Sequence, residues 1–227
     1  MLGEFDKMKK NLIVCLLVFV VSLFVCCGLR QKTVLQKDSV SPNYLILVNK
    51  ENPINKEYIK TIQLKTVPTV YPNEDTQVEV VALKAFENLK TYLENKGVKI
   101  GIDSSFRSIE KQQNVMDKFI KLYGQDYATK TVAIPGTSEH HTGLAIDIVP
   151  FVNGKWITEN EDMMKETEIF KIIHKALAEY GFILRYPKGK ENITGYSYEP
   201  WHIRYVGVKY AKEIYKKAIT LEEYLSK

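Results

Sequence analysis

Apolar residues recur at helical spacing in several stretches of the chain. The predicted helices lie at about 76–96, 108–123, 167–180 and 207–226. In the first of them, Leu83, Phe86, Leu89 and Leu93 fall on one face of a helix with 3.6 residues per turn. A glycine follows each of the first three stretches, at the position where many helices end. These stretches therefore read as amphipathic helices that pack against a core.

Short apolar runs between the helices predict strands, because they are β-branched or alternate with polar residues. The predicted strands lie at 44–48, 98–102, 144–149, 155–157, 182–186 and 201–205. Asn153-Gly154 is a turn signal that predicts a hairpin between the third and fourth of these runs. Helices and strands interleave without the regular spacing of βαβ units. The sequence therefore predicts an α+β fold with a small antiparallel sheet flanked by helices.

The N-terminus has a different pattern. Three lysines precede an apolar run from Leu12 to Leu29, which is just long enough to span a bilayer. No small-x-small cleavage site follows the run. We predict that residues 1–30 anchor the chain in a bacterial cell membrane, with the rest of the chain outside the cytoplasm. Lipidation at Cys26 or Cys27, as in a lipoprotein, is the alternative.

Composition narrows the classes of partner and metal site. The net charge of +5 is interspersed, and no basic block follows residue 40, which argues against nucleic acid as a partner. All three cysteines lie in the first thirty residues. A metal ion elsewhere must therefore be bound through histidine or carboxylate.

We expect a polar linker at 31–43 and one globular domain at 44–227, present as a monomer.

Three of the four histidines fall in two segments, PGTSEHHTGLAID at 135–147 and EPWH at 199–202. Two neutral imidazoles and one carboxylate are an ordinary ligand set for a catalytic zinc ion. Asp147 lies inside an apolar strand, where an unpaired charge is costly to bury. We predict that Asp147 and His202 bind one zinc ion together with one of the two adjacent histidines. The residues alone do not choose between His140 and His141.

Other polar residues have a catalytic and a structural interpretation. Glu199 lies three residues before a predicted ligand and could act as the general base for a bound water. Arg107 lies between a predicted strand and helix, where it could stabilise an oxyanion, although taken alone it reads as a surface arginine. Glu139 reads as a solvated loop residue. His174 reads as a structural histidine, because no acidic or histidine partner lies one helical turn away.

The motifs SSFRSxxxQ, PGTSEHHTGLAID and EPWHIRYVG, in this order and at these separations, resemble the VanY-type zinc D-alanyl-D-alanine carboxypeptidases. The similarity covers roughly residues 44–210. The pattern S-x-H-x-x-G-x-A-x-D is highly specific, and its pairing with EPWH makes it more so. The resemblance implies the small α+β domain shared with hedgehog-type and D,D-peptidase relatives.

The resemblance also implies the roles of individual residues. It implies one zinc ion held by His140, Asp147 and His202, with Glu199 as the base. It implies that Arg107 faces the reacting carbonyl oxygen. Ser138 and Gln112 are implied as substrate contacts.

The function implied is removal of the C-terminal D-alanine from peptidoglycan stem peptides by a metal-activated water. An L,D-carboxypeptidase or an endopeptidase would use the same site on the same peptides. A zinc-bearing module that only binds the cell wall would need neither Glu199 nor Arg107. A membrane-tethered interaction protein without metal is a further alternative, and the zinc content of the purified protein distinguishes it.

Overall fold

The computed structural model describes residues 43–226. The predicted membrane anchor at 1–30 and nearly all of the predicted linker at 31–43 lie outside the described residues. Within residues 43–226, no helix combines the length and the hydropathy that are needed to cross a bilayer.

The described residues contain a five-stranded antiparallel sheet and a separate two-stranded one. The strands are β1 Leu64–Pro68, β2 Asp75–Glu79, β3 Ile100–Ser104, β4 Ala145–Val152, β5 Lys155–Trp156, β6 Phe182–Leu184 and β7 His202–Tyr205. The order in the larger sheet is β3-β4-β7-β6, and β5 pairs with the far end of β4. Strands β1 and β2 pair only with each other. The prediction of a small antiparallel sheet is confirmed.

Helices surround this sheet. Those in residues 43–226 are α1 Lys56–Ile59, α2 Val80–Glu94, α3 Ile109–Tyr123, α4 Gln125–Thr131, α5 Asn160–Met163, α6 Thr167–Leu177, α7 Glu191–Thr194, α8 Val208–Lys217 and α9 Leu221–Leu225, with 3-10 helices at Glu139–Thr142 and Ala178–Tyr180. The Ser108 hydroxyl accepts from the Lys111 N–H and caps α3. Thr220 and Glu223 form a capping box at the start of α9.

The core lies between the sheet and the apolar faces of α2 and α6. One buried cluster joins Leu89 of α2 and Phe170 of α6 to Ile146 and Ile148 of β4. Successive side chains of a strand point to opposite faces. Asp147, between the two buried isoleucines, therefore points away from this core.

Three predicted elements differ from the structure. The helix predicted at 207–226 is divided into α8 and α9, and Ala218 between them has a left-handed conformation. Residues 44–48 form no strand; the carbonyl oxygens of Tyr44 and Ile46 accept from the Arg204 guanidinium instead of from a neighbouring strand. The helix predicted at 76–96 begins only at Val80, because residues up to Glu79 pair in β2. The Glu79 carboxylate caps the helix by accepting from two backbone N–H groups. Apolar periodicity did not reveal the start at Val80, because Val78 of β2 is buried in the same core as Leu83 and Phe86 of α2.

Candidate metal and active site

The register of the sheet places two predicted metal ligands side by side. Asp147 of β4 lies opposite His202 of β7, and Ser104 of β3 lies opposite Asp147 on its other side. Directly opposed residues of an antiparallel pair project to the same face, with their Cβ atoms about 4.5–5.5 Å apart. Three neighbouring strands thus bring their side chains to one point.

His140 reaches the same point from the 3-10 helix Glu139–Thr142. Gly143 ends this helix in a left-handed conformation, and a side chain there would meet Leu64. The His140 ring places Nδ1 2.6 Å from the Ser105 carbonyl oxygen. The His140 carbonyl oxygen accepts from the Arg107 N–H. These bonds hold the loop against the end of β3 and aim His140 Nε2 at Asp147.

The three side chains meet closely. Asp147 Oδ2 lies 3.2 Å from His140 Nε2, and Asp147 Oδ1 lies 3.0 Å from His202 Nδ1. One possible ligand atom from each residue falls within 4.8 Å of the others. Asp147 Oδ1 is buried and accepts no hydrogen bond from the described residues. Two imidazoles and a carboxylate with a buried, unsatisfied oxygen fit a zinc ion that keeps one position open.

The electrostatics agree with a cation site. Burial raises the pKa of Asp147, but the two histidines outweigh it and hold that pKa well below its usual range. Burial lowers the pKa of His202, yet the carboxylates of Asp147 and Glu139 raise it to about 9. A metal ion bound here would displace a proton from His202, so binding and deprotonation are coupled.

His141 points elsewhere. Its Nδ1 lies 2.6 Å from the Arg107 carbonyl oxygen, and its Nε2 accepts from the Gly136 N–H. The ring is fully buried and holds two backbone segments together. The geometry thus places His140, and not His141, in the cluster. His174 also lies outside it, with Nε2 2.9 Å from the Pro200 carbonyl oxygen.

Glu199 lies beside the cluster without belonging to it. The His202 N–H donates to the Glu199 carbonyl oxygen, so a turn brings both side chains to one site. Glu199 Oε2 lies 3.7 Å from His202 Nδ1. Burial raises the pKa of Glu199 to about 7, although His202 partly opposes this. A carboxyl group in this range can accept and return a proton near neutral pH.

A cavity of about 300 Å³ opens above the cluster. Arg107, Gln112 and Ser138 all line it. Arg107 Nη1 donates to Gln112 Oε1 at 3.0 Å, and Gln112 Nε2 donates to the Ala133 carbonyl oxygen at 2.7 Å. Gln112 therefore holds Arg107 in place, and direct contact between Gln112 and a substrate stays a prediction.

The sequence interpretation of Glu139 was wrong. Glu139 is 1% exposed, and its carboxylate is bonded to two buried arginines, Arg185 and Arg204. Tyr186 and Trp201 also line the cavity, and the Tyr186 ring lies 4.8 Å from that of His202. Sequence reasoning missed Tyr186 because aromatic residues in apolar strands usually belong to the core.

Comparison with known proteins gives consistent similarities. Residues 75–208 match the family model described as VanY, D-alanyl-D-alanine carboxypeptidase. The chain is 38% identical to the "Putative carboxypeptidase YodJ" of Bacillus subtilis (strain 168) over 188 residues, which cover 82% of this chain and 68% of that one.

Solved structures extend the similarity to the fold. A mutant of the vancomycin-resistance D,D-pentapeptidase VanY in complex with Zn(II) is 34% identical, with a TM-score of 0.67, over 80% of this chain and 98% of the other. The LD-carboxypeptidase LdcB is 36% identical, with a TM-score of 0.69, over 82% and 87% of the two chains.

The two adjacent histidines provide a matched test of the cluster. His140→Ala removes a nitrogen that faces Asp147, and we expect zinc affinity to fall by more than the roughly 10- to 100-fold typical of losing an outer partner. His141→Ala removes only the hydrogen bonds between the His141 ring and backbone groups. It should therefore lower the melting temperature, while the folded protein still binds one zinc ion. Metal content of the purified variants and titration against a chromophoric chelator measure both. Equal zinc affinities in the two variants would contradict the assignment.

Proposed function

This chain belongs to the VanY family of D-alanyl-D-alanine carboxypeptidases, and we propose that it is a zinc-dependent carboxypeptidase acting on peptidoglycan stem peptides. It removes the C-terminal D-alanine. The observation that carries the proposal is the convergence of His140, Asp147 and His202 within 4.8 Å, with Glu199 beside them. A metal site that was only structural would have no use for Glu199.

The three clustered residues would hold the metal; His140 Nε2 and His202 Nδ1 are the nitrogens that face the Asp147 carboxylate. Zinc bound there supplies Lewis-acid chemistry, because it lowers the pKa of a coordinated water towards about 7 and polarises a carbonyl group. Ser104 donates a hydrogen bond of 2.8 Å to Asp147 Oδ2 and fixes the carboxylate in place.

Glu199 moves the protons of the reaction. It takes a proton from the attacking water, whose oxygen forms a bond to the carbonyl carbon of the terminal peptide bond. As the carbon–nitrogen bond breaks, Glu199 returns the proton to the leaving amine of D-alanine. One water is consumed, and the products are the shortened peptide and free D-alanine.

Arg107 stabilises the negative charge that develops on the carbonyl oxygen during the reaction. It is the one arginine or lysine among the described residues that line the cavity. Its guanidinium donates to the carbonyl oxygen as charge develops there, a role whose loss typically costs about 10²–10³ in rate. Gln112 holds the guanidinium in its orientation, and Ser138 contributes a hydroxyl group to the substrate pocket.

A second activity, L,D-carboxypeptidase, is supported by the similarity to LdcB, which matches this chain as well as VanY does. The same residues would perform it, because the reaction is again hydrolysis of the peptide bond to a C-terminal D-alanine, with an L-residue instead of a D-residue before that bond. An endopeptidase would also use these residues but would not require a free C-terminus in its substrate.

The N-terminal sequence supports a proposed location. Residues 1–30 anchor the protein in the bacterial cell membrane, residues 31–43 form the linker, and the catalytic domain at 44–227 works as a monomer outside the cytoplasm. The substrate lies in the cell wall, so this placement brings enzyme and substrate into one compartment.

The function is tested by incubating the full-length protein in detergent with tetrapeptide and pentapeptide stems and weighing the products by mass spectrometry. We expect the pentapeptide to lose one D-alanine, because the clustered residues and Glu199 form a complete hydrolytic site. A chelator should abolish the reaction, and added zinc should restore it. Cleavage of the tetrapeptide alone would favour the L,D activity, and cleavage of neither would contradict the proposal.

Glu199→Gln separates proton transfer from metal binding. We expect zinc content to stay at wild-type level while kcat falls by about 10²–10⁴-fold. In the wild type, kcat/KM should rise with pH through a midpoint at or below 7, because burial raises the Glu199 pKa to about 7 and a nearby cation lowers it. Glu87→Gln, on the exposed side of α2, is the control and should change neither quantity. Near-normal turnover in Glu199→Gln would remove the assigned base.

The membrane anchor is tested by cell fractionation. The full-length chain should sediment with membranes and dissolve only in detergent, because a long apolar N-terminal run partitions into lipid. Deleting residues 1–30 should release the protein into the soluble fraction. The mass of the N-terminal peptide distinguishes a retained helix from a lipidated cysteine. A full-length chain that stayed soluble would contradict the anchor.

A further inference from the structure

The carboxylate of Glu139 is held on one side by two arginines. Its Oε1 accepts from Arg185 Nε at 2.7 Å and from Arg204 Nη1. Both arginines are fully buried, as is Glu139 itself. Two guanidinium groups bonded to one carboxylate oxygen stabilise its ionised form. Glu139 is therefore a buried, ionised carboxylate with one oxygen fully engaged.

The other oxygen faces a metal ligand. Glu139 Oε2 lies 3.5 Å from His202 Nε2, somewhat longer than the roughly 2.9–3.0 Å of a typical N–H···O hydrogen bond. Neither atom has a hydrogen-bond partner among the described residues, and both are buried. Buried polar atoms are almost always paired, so these two atoms are each other's partners.

The direction of this bond decides which nitrogen of His202 can bind metal. An ionised carboxylate only accepts hydrogen bonds, so His202 Nε2 must carry the proton. In a neutral imidazole the lone pair then lies on Nδ1, the atom 3.0 Å from Asp147 Oδ1. His140 shows the reverse arrangement, with Nδ1 against the Ser105 carbonyl oxygen and Nε2 towards Asp147. Each ring is thus fixed by an acceptor on its outer nitrogen.

We propose that Glu139 is a positioning residue, which holds His202 as the Nε2–H tautomer and turns Nδ1 towards the metal. Partners of this kind typically change metal affinity by about 10- to 100-fold. Glu139 precedes His140 directly, so one short 3-10 helix supplies both a ligand and the group that orients another ligand. The inference rests on the proposed function only in taking the cluster as a zinc site.

The arginines make this orientation rigid. Arg185 also donates to both oxygens of Glu222 on α9, at 2.9 and 2.6 Å. Arg204 also donates to the carbonyl oxygens of Tyr44 and Ile46. Rotation of Glu139 would break bonds that are tied to both ends of the domain. The Oε2 atom is therefore held facing His202.

The rival interpretation is that this charge cluster only stabilises the core. Glu139→Gln distinguishes the two. The amide has nearly the same shape, and its oxygen stays with the arginine donors, so its NH2 group faces His202 Nε2. The amide NH2 group then faces the Nε2–H group of His202, and two donors cannot bond to each other. This disfavours the Nε2–H tautomer, which is the one that binds metal through Nδ1.

We expect full-length Glu139→Gln to bind zinc about 10- to 100-fold more weakly than the wild type in competition with a chromophoric chelator. The matched control is Glu79→Gln. Glu79 is also 1% exposed, and its carboxylate caps α2 with no bond to the cluster. The control should lower the melting temperature and leave zinc affinity unchanged. Wild-type affinity in folded Glu139→Gln would overturn the inference.

A measurement on the wild type needs no variant. The chain has four histidines, so labelling them with nitrogen-15 gives a simple spectrum of ring nitrogens. In the zinc-loaded protein we expect His202 to be protonated on Nε2, with a proton that exchanges slowly with water. Protonation of His202 on Nδ1 would overturn the inference even if Glu139→Gln failed to fold. A wild type that bound no zinc would instead contradict the proposed function.

Discussion

The site depends on one cross-strand pair. Strand β4 lies antiparallel to β7 in a register that sets Asp147 opposite His202. A shift of one residue would turn every side chain of one strand to the other face, so the register is fixed by burial of Ile146 and Ile148 on the opposite side. The same packing that builds the core thus aims Asp147 at the site.

Around this pair, buried carboxylates are paired with buried guanidinium groups. Glu139 is bonded to Arg185 and Arg204, and Glu222 is bonded to Arg185. These bonds link the end of β6, β7, α9 and the 3-10 helix. An ionised group without such partners would be strongly destabilising in the interior. The cost of burying these charges is offset by their mutual pairing, and the result is a rigid support beneath the metal ligands. Rigid support suits a site whose chemistry depends on the direction of individual lone pairs.

Local signals predicted local structure well. Asn153-Gly154 makes the predicted turn between β4 and β5, and apolar residues at helical spacing mark α2, α3 and α6. Two predictions that depended on distant partners failed. Residues 44–48 have the composition of a strand, but their carbonyl groups bond to Arg204, which is about 160 residues away. Glu139 was interpreted as solvated because its partners, Arg185 and Arg204, are 46 and 65 residues away in the sequence.

The sequence by itself determined the α+β class, the two segments that carry the histidines and the ligand types open to a metal. These follow from periodicity, from composition and from motifs whose residues are close together. The family resemblance, read from the sequence, already chose His140 over His141. Only the tertiary structure showed why: Asp147 and His202 are cross-strand neighbours, the His141 ring bonds to backbone groups away from the cluster, and a turn brings Glu199 to it. The reason is physical: strand register and side-chain direction are set by packing between segments far apart in the chain.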